Sequence, residues 1–156
     1  RATRPPAIRL RADVRESGVD DLLHGPYIGA VDDFVLLRND GTPAYNLAVV
    51  VDDAEQGVDQ VVRGDDLLPS APRQAYLAEL LGYAPVEYVH VPLVLGPDGK
   101  RLAKRDGAVT MRDMGEQRGI VKQLAQSLGY EAETAAELLA QFRPEELSRE
   151  PYIWRA

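Results

Sequence analysis

Cysteine is absent from this sequence of 156 residues, and histidine occurs only twice, at His24 and His90. Without thiols, the chain cannot form a disulfide-stabilised scaffold or a zinc site with thiolate ligands. The two histidines lie far apart in the sequence, so a metal site built on imidazole ligands is not indicated either. We therefore expect no metal site formed by this chain alone.

Long apolar runs are missing as well, because no stretch reaches the roughly 18 apolar residues that a membrane-spanning helix needs. The composition, with 45% hydrophobic and 28% charged residues, is that of an ordinary globular domain. The length suggests one domain or a large piece of one, with enough chain to bury a core. We expect no interaction with a membrane.

Charge is distributed unevenly along the chain, whose net charge is −7. Residues 1–18 carry five Arg and two acids, and residues 98–128 carry seven basic and four acidic side chains. Between them, residues 19–66 hold eleven acids and only two basic residues, Arg38 and Arg63. The acidic balance argues against a protein that coats nucleic acid without specificity. A partner that carries phosphate is expected at the two basic segments.

The apolar pattern predicts an α/β fold, in which strands and helices alternate before a helical C-terminal part. Gly25-Pro26 is interpreted as a break between elements. The predicted strands cover residues 7–12, 33–38, 58–63 and 88–95. The predicted helices cover residues 45–54, 71–81, 111–129 and 131–142, and the tail from residue 143 is expected to be irregular.

Residues 45–54 fit two interpretations. Three consecutive valines, 49–51, favour a strand by propensity. However, Gly57 follows where a helix would end. One helical face would also collect four apolar residues: Leu47, Val50, Val51 and Ala54. We therefore predict a helix.

The helix predicted at 71–81 has a recognisable start and end. Ser70 is a typical N-cap residue, Pro72 suits the first turn, and Gly82 marks the end. The expected buried stripe consists of Tyr76, Leu77, Leu80 and Leu81. In the first predicted strand, Ile8 and Leu10 are expected to form the buried face.

A basic loop at residues 96–107 follows the predicted strand 88–95 and has glycine at both ends. Ligands of open α/β sheets bind beyond the carboxyl ends of the strands, and Lys suits phosphate as a point charge. Four cations fall within six residues: Lys100, Arg101, Lys104 and Arg105. A solvated basic loop accounts for the same pattern and is the more common case for a run of charges.

Two further polar residues could bind a ligand. Arg63 closes a predicted strand, where its planar fork could hold a substrate carboxylate or could form an internal salt bridge with Asp65 or Asp66. Tyr45 opens the predicted helix, either as a core aromatic residue or with its hydroxyl presented to a polar ligand. The residue types alone leave these alternatives open.

A set of motifs resembles the catalytic domain of the glutamyl-tRNA synthetase family. The resemblance extends over most of the chain, from about Ala7 to the end, and Arg101-Leu102-Ala103-Lys104-Arg105 lies where that family has its KMSKS-type ATP signature. The other motifs are Pro43-Ala44-Tyr45-Asn46-Leu47-Ala48-Val49-Val50-Val51-Asp52-Asp53, Val61-Val62-Arg63-Gly64-Asp65-Asp66-Leu67-Leu68, Pro72-Arg73-Gln74 and Leu80-Leu81-Gly82.

Within this family, the sequence is most similar to the short branch of glutamyl-queuosine tRNA(Asp) synthetases. Val49 stands where glutamyl-tRNA synthetases usually carry Asn, and the ending 149–154 resembles the C-termini of actinobacterial members. The chain also ends soon after the signature loop, without room for an anticodon-binding domain. The resemblance implies a cytoplasmic enzyme that uses Mg²⁺ and converts L-glutamate and ATP into glutamyl-adenylate and pyrophosphate. The glutamyl group then passes to the queuosine base in the anticodon region of tRNA(Asp).

Site residues follow from the resemblance, position by position. Tyr45 and Arg63 match the glutamate-binding Tyr and Arg of the family, and Lys104 matches the second Lys of the signature, which contacts ATP. Ala103 replaces the usual Ser and Arg101 the usual first Lys, so the loop keeps its charge but loses a hydroxyl group.

Some family features are missing from this chain. The HIGH-type motif, the first half of the nucleotide fold and the Cys ligands of the family's zinc module are not found. We expect the latter half of a Rossmann-type catalytic domain at 1–107, including the signature loop 98–107, and a helical region at 108–156. Such a chain is expected to be inactive alone. The alternatives are a fragment of a discriminating glutamyl-tRNA synthetase and a non-catalytic module of the same fold that binds tRNA or protein.

Overall fold

A computed structural model describes residues 5–102 and 117–154, except for the side chains of residues 117 and 118. The chain divides into two compact units, Arg1–His90 and Val91–Ala156. The described strands are β1 (Ile8–Arg9), β2 (Glu16–Asp21), β3 (Gly25–Ala30), β4 (Val35–Leu37), β5 (Gln60–Gly64), β6 (Glu87–Val91), β7 (Val94–Leu95) and β8 (Tyr152–Ile153). The described helices are α1 (Tyr45–Gln56), α2 (Ala71–Leu81), α3 (Gln117–Ser127) and α4 (Ala135–Gln141).

The first unit is built on a four-stranded sheet with the order β3-β2-β6-β5. Strands β2 and β3 form an antiparallel hairpin, whereas β2 pairs with β6 in parallel. Strands β1 and β4 form a separate antiparallel pair. A parallel pairing in a chain that alternates strands with helices confirms the predicted α/β class.

Helix α1 is confirmed, against the strand propensity of its three valines. Its apolar face packs on the core, in which Val50 is buried and Leu47 is partly buried. Gly57 ends the helix with a φ of 69°, and its N–H bonds back to the carbonyl groups of the last turn. This left-handed conformation favours glycine, which explains why the helix ends there. The other buried residues of this core cluster are Val31, Phe34, Tyr76 and Leu77.

Helix α2 is confirmed at its predicted bounds, but its start and its buried face differ from the prediction. The 3-10 turn Asp65–Ser70 leads directly into it, so Ser70 already has helical dihedral angles and its side chain does not cap the helix. Tyr76 and Leu77 are buried as predicted, whereas Leu80 and Leu81 are exposed. The buried face instead includes the polar residue Gln74, which apolar periodicity cannot identify.

The break predicted at Gly25-Pro26 falls at the turn of a hairpin of β2 and β3, two strands that were not predicted. Gly25 begins β3 with a φ of 72°, and Asp21 pairs with Gly25 across a connection of residues 22–24. Leu23 in that connection is buried and fixes it to the unit. The prediction of a buried Ile8 is wrong, since Ile8 is exposed and Leu10 packs against the core instead.

The second unit contains two short strands and two described helices. Strand β7 pairs in parallel with β8, so the tail predicted to be irregular contributes a strand. Helix α4 starts later than predicted because Thr134 caps it, with Glu137 completing a capping box. The predicted boundary between residues 107 and 108 lies outside the described residues and stays a prediction.

Candidate functional site

Arg63 lies near the carboxyl end of β5, and its guanidinium group is held from several sides. Its Nε donates to His90 Nε2 at 2.9 Å, and its Nη1 donates to Gln74 Oε1 at 2.7 Å. The guanidinium carbon lies 5.4 Å from the centre of the Tyr88 ring, a cation–π distance. The third nitrogen, Nη2, is buried and has no hydrogen-bond partner among the residues that the structure describes. A buried donor without an acceptor is costly, so this atom marks a place for an anionic ligand oxygen.

His90 is fully buried in β6 and connects Arg63 to Asp21. Its Nδ1 lies 2.7 Å from Asp21 Oδ2, and its backbone N–H donates to the same oxygen at 2.9 Å. The other oxygen of Asp21 accepts the backbone N–H groups of Leu23 and His24, each at 3.0 Å. Both carboxylate oxygens are therefore occupied, which fixes the end of β2 against β6.

Burial and neighbouring charges shift the ionisation of this pair. Burial raises the pKa of Asp21, but the hydrogen bonds from His90 and from the backbone outweigh it, so the net shift is downward. Burial lowers the pKa of His90, and the hydrogen bond to Asp21 only partly opposes this, while the charge of Arg63 adds to the decrease. Asp21 is thus ionised and His90 neutral at pH 7.

Gln74 links Arg63 to the start of α1. Its amide nitrogen donates to Asn46 Oδ1 at 3.0 Å while its oxygen accepts from Arg63. Tyr45, the neighbour of Asn46 and first residue of α1, is 56% exposed. The Asn46 side chain, next to Tyr45 in the sequence, is thus connected through Gln74 to the Arg63 side chain. Contact of both with one ligand stays a prediction.

The competing explanation for Arg63 was a salt bridge with Asp65 or Asp66. The hydrogen bonds described for Arg63 go instead to His90 and Gln74, so a neighbouring acid is not what positions its side chain. Both acceptors are neutral, so these two hydrogen bonds do not compensate the positive charge of the guanidinium group.

The described start of the basic loop is a tight turn. Gly96 donates to the Lys100 carbonyl, and Gly99 has a φ of 73°. Lys100 pairs with Asp98 at 3.3 Å, and both side chains are exposed. Arg101 forms an antiparallel bridge with Leu95, and Leu102 is half exposed. The remaining predicted signature residues, Ala103, Lys104 and Arg105, lie outside the described residues.

A cleft of about 1230 Å³ lies on the first unit, lined mainly by β2, β3, the end of α1 and α2. Gln74 and Tyr88 border it, but Arg63 and Tyr45 do not. The cleft therefore adjoins the residues that hold Arg63, but neither predicted glutamate contact lines it.

Asp21, Asn46, Gln74, Tyr88 and His90 were all missed as site residues by reasoning from the sequence. Two of them carry a signal in retrospect, since Gln74 interrupts the apolar face of a helix and His90 interrupts an apolar strand. A polar residue at a buried position needs a partner. Asp21 follows a second acid, Asp20, and Asn46 lies in the first turn of a helix, where polar residues are common, so neither is marked in the same way.

Neither a metal-binding cluster nor a membrane-spanning helix is present in the described ranges. Residues 5–102 and 117–154 contain no group of three or more His, Asp or Glu side chains arranged to hold a metal ion. No helix in this part of the chain is long and apolar enough to cross a membrane. The zinc expected of the family is therefore not assigned to any described residue.

Comparisons with known proteins identify relatives that are mostly longer. Glutamyl-Q tRNA(Asp) synthetase of Nocardia farcinica is 61% identical over 156 residues, which cover 96% of this chain and 50% of the relative. The protein of the same name from Cutibacterium acnes is 56% identical over 131 residues, covering 81% of the chain and 38% of the relative. The chain thus spans half or less of the length of these curated relatives.

Solved structures agree with the sequence comparison. A crystal structure of glutamate-tRNA synthetase from Elizabethkingia anophelis superposes with a TM-score of 0.78 at 26% identity, covering 96% of this chain and 37% of that one. The family model for the catalytic domain of class I tRNA synthetases (E and Q) matches residues 1–151. The predicted Rossmann-type class I fold is confirmed by these matches. The chain belongs to the class I tRNA synthetase (E and Q) catalytic domain family.

Proposed function

We propose that this chain is the C-terminal part of the catalytic region of a ligase that activates L-glutamate with ATP and Mg²⁺. The glutamyl group is then transferred to the queuosine base in the anticodon region of tRNA(Asp). The observation that carries the activation step is Arg63, whose buried Nη2 has no hydrogen-bond partner among the described residues. The 61% identity to a glutamyl-Q tRNA(Asp) synthetase supports the choice of tRNA.

The chemistry of Arg63 suits a carboxylate of glutamate. An Arg whose other nitrogens are already held by His90 and Gln74 offers Nη2 in a fixed direction. A hydrogen bond from a charged donor to a carboxylate is stronger than a neutral one, and a rigid donor loses less entropy on binding. Tyr45 is proposed as the second glutamate contact and Lys104 as the ATP contact, both on the strength of the family motif.

The proposed activation step is tested by glutamate-dependent exchange of pyrophosphate into ATP. In the full-length protein, Arg63→Ala is expected to lower kcat/KM for glutamate by at least about tenfold, since a charge-assisted hydrogen bond contributes about 1.5–3 kcal/mol. Arg38→Ala is the matched control, because Arg38 is an exposed arginine paired with Asp40. Equal kinetics for the two variants would remove Arg63 from the glutamate site.

The proposed acceptor is tested by locating radioactive glutamate in the tRNA. Label on the anticodon-containing fragment of tRNA(Asp) is expected, and it should depend on the queuosine base. The alternative, a discriminating glutamyl-tRNA synthetase, is favoured by the structural match to a glutamate-tRNA synthetase and predicts label at the 3′ end of tRNA(Glu). A non-catalytic module predicts tRNA binding without exchange or label. The 156 residues alone are expected to show exchange at background level.

A further inference from the structure

We propose that the buried pair of Asp21 and His90 positions Arg63, so that His90 is a positioning residue for the carboxylate contact. The inference rests on the proposed function for its kinetic test, but its structural content is independent of the reaction. It concerns which ring nitrogen of His90 carries the proton, and what holds the guanidinium group of Arg63 in one orientation.

The hydrogen bonds determine the tautomer of His90. An arginine Nε–H is always a donor, so His90 Nε2, at 2.9 Å from it, has to be the acceptor. The proton of the neutral imidazole then lies on Nδ1 and points at Asp21 Oδ2, at 2.7 Å. Asp21 selects this tautomer because an ionised carboxylate can only accept a hydrogen bond. Carboxylates fix the tautomer of histidines in other proteins in the same way.

Contacts on several sides hold the side chains of Asp21 and His90 in one geometry. His90 is fully buried, stacks on Tyr88 with ring centres 5.7 Å apart, and has its carbonyl oxygen 3.1 Å from His24 Nε2. Asp21 accepts three backbone N–H groups in addition to the imidazole. Because His90 is held in this way, its hydrogen bond to Nε fixes the position of the Arg63 guanidinium group.

Charge balance supports the same role. The negative charge of Asp21 and the positive charge of Arg63 are separated by a neutral imidazole rather than in direct contact. A direct contact with Asp21 would bring a carboxylate to the guanidinium group and compete with an incoming ligand carboxylate. The bridged arrangement orients Arg63 while its charge remains available to a ligand.

Two amide substitutions separate the two nitrogens of His90. Glutamine can place its amide oxygen near the position of Nε2 and can still accept from Arg63. Asparagine reaches only the position of Nδ1, so it can donate to Asp21 but leaves Arg63 Nε without an acceptor. The glutamine variant thus keeps the bond to Arg63 and loses the bond to Asp21, whereas the asparagine variant does the reverse. Both variants remove the imidazole ring.

In the full-length protein, His90→Asn is expected to raise the KM for glutamate by about five- to tenfold, less than the loss of the ligand contact itself, because Arg63 keeps its hydrogen bond to Gln74 and loses only part of its orientation. The KM for ATP should change less than about twofold, and His90→Gln should retain most of the glutamate affinity. Urea unfolding checks that both variants fold. Equal effects of the two variants on glutamate, or equal effects on glutamate and ATP, would overturn the proposal.

Nitrogen-15 NMR on the unsubstituted protein provides a test that needs neither a variant nor activity. At pH 7 the shifts of His90 are expected to show a protonated Nδ1 and an unprotonated Nε2, and the Arg63 Nε–H should exchange slowly with solvent. A protonated Nε2 would overturn the proposal even if glutamate activation is present. The expected shifts in a protein without glutamate-dependent exchange would instead contradict the proposed function and leave the positioning of Arg63 standing.

Discussion

Substitution of Gly29 by alanine probes how closely β3 approaches α2, the helix that carries Gln74. A Cβ atom at Gly29 would lie 2.8 Å from Pro72 Cγ and 3.1 Å from a ring carbon of Tyr27. The first distance is shorter than carbon atoms tolerate without movement, and Pro72 is a fully buried, rigid ring at the start of α2. The added methyl group therefore has to displace the strand or the helix.

The magnitude follows from two opposing effects. Overpacking of a dense core costs about 1–3 kcal/mol. The replacement of glycine by alanine also restricts the unfolded chain, which stabilises the fold by about 0.4–1 kcal/mol. We expect Gly29→Ala to lower the free energy of unfolding by about 1–2 kcal/mol after both effects. A displaced α2 would also lengthen the hydrogen bond between Gln74 and Arg63.

Gly18→Ala is the matched control, because Gly18 lies on the partner strand β2 and its nearest neighbour would be 3.8 Å from the new Cβ. Neither glycine has a positive φ, so backbone strain is the same small effect in both. The assay is urea unfolding followed by circular dichroism, with the slope used to confirm an unchanged transition. If Gly29→Ala is as stable as Gly18→Ala, the close approach does not hold α2 in place.

Three further predictions concern ionisation, the signature loop and a helix cap. The urea midpoint should fall as the pH drops below 6.5 and again as it drops below 3.8. The unfolded chain binds protons at His90 and Asp21 more readily than the folded protein does, because folding lowers the pKa of both groups. In His90→Gln the first decrease should be smaller. Lys104→Ala should slow single-turnover adenylate formation more than it weakens glutamate binding, whereas Lys100→Ala, which removes an exposed ion pair, should change neither. Thr134→Ala should lower stability by about 1 kcal/mol in thermal unfolding, with Thr134→Ser close to the original value.

Local patterns in the sequence predicted much of the fold. The spacing of apolar residues was sufficient for α1 and α2, and glycine indicated both helix ends, because Gly57 and Gly82 adopt the left-handed conformation. These features depend on neighbours within a few positions. The strand β8 was missed for the opposite reason, since Tyr152 pairs with Val94 from a distant part of the chain. The hairpin at Gly25 was missed because β2 is mostly polar and β3 contains two glycines and a proline, so neither shows strand periodicity.

The candidate site was predictable only in part. Arg63 and Tyr45 were named from the family motif, yet the residues that hold Arg63 were not. Asp21 and His90 are 69 positions apart, and no rule of local spacing connects a polar residue in one strand to a polar residue in another. Buried polar networks form through tertiary contacts, so the sequence shows only that a buried polar residue needs some partner.

The geometry explains why arginine suits position 63 better than lysine would. A guanidinium group offers its donors in one plane on three nitrogens, whereas an ammonium group offers three donors around a single point. Here Nε and Nη1 are used to fix the group, through His90 and Gln74, and the Tyr88 ring lies against its carbon atom. Only a side chain with separate nitrogens can be anchored by two of them and still direct the third, Nη2, at a ligand. Anchoring and ligand binding are thereby assigned to different atoms of one residue, which is the physical basis for placing the carboxylate contact at Nη2.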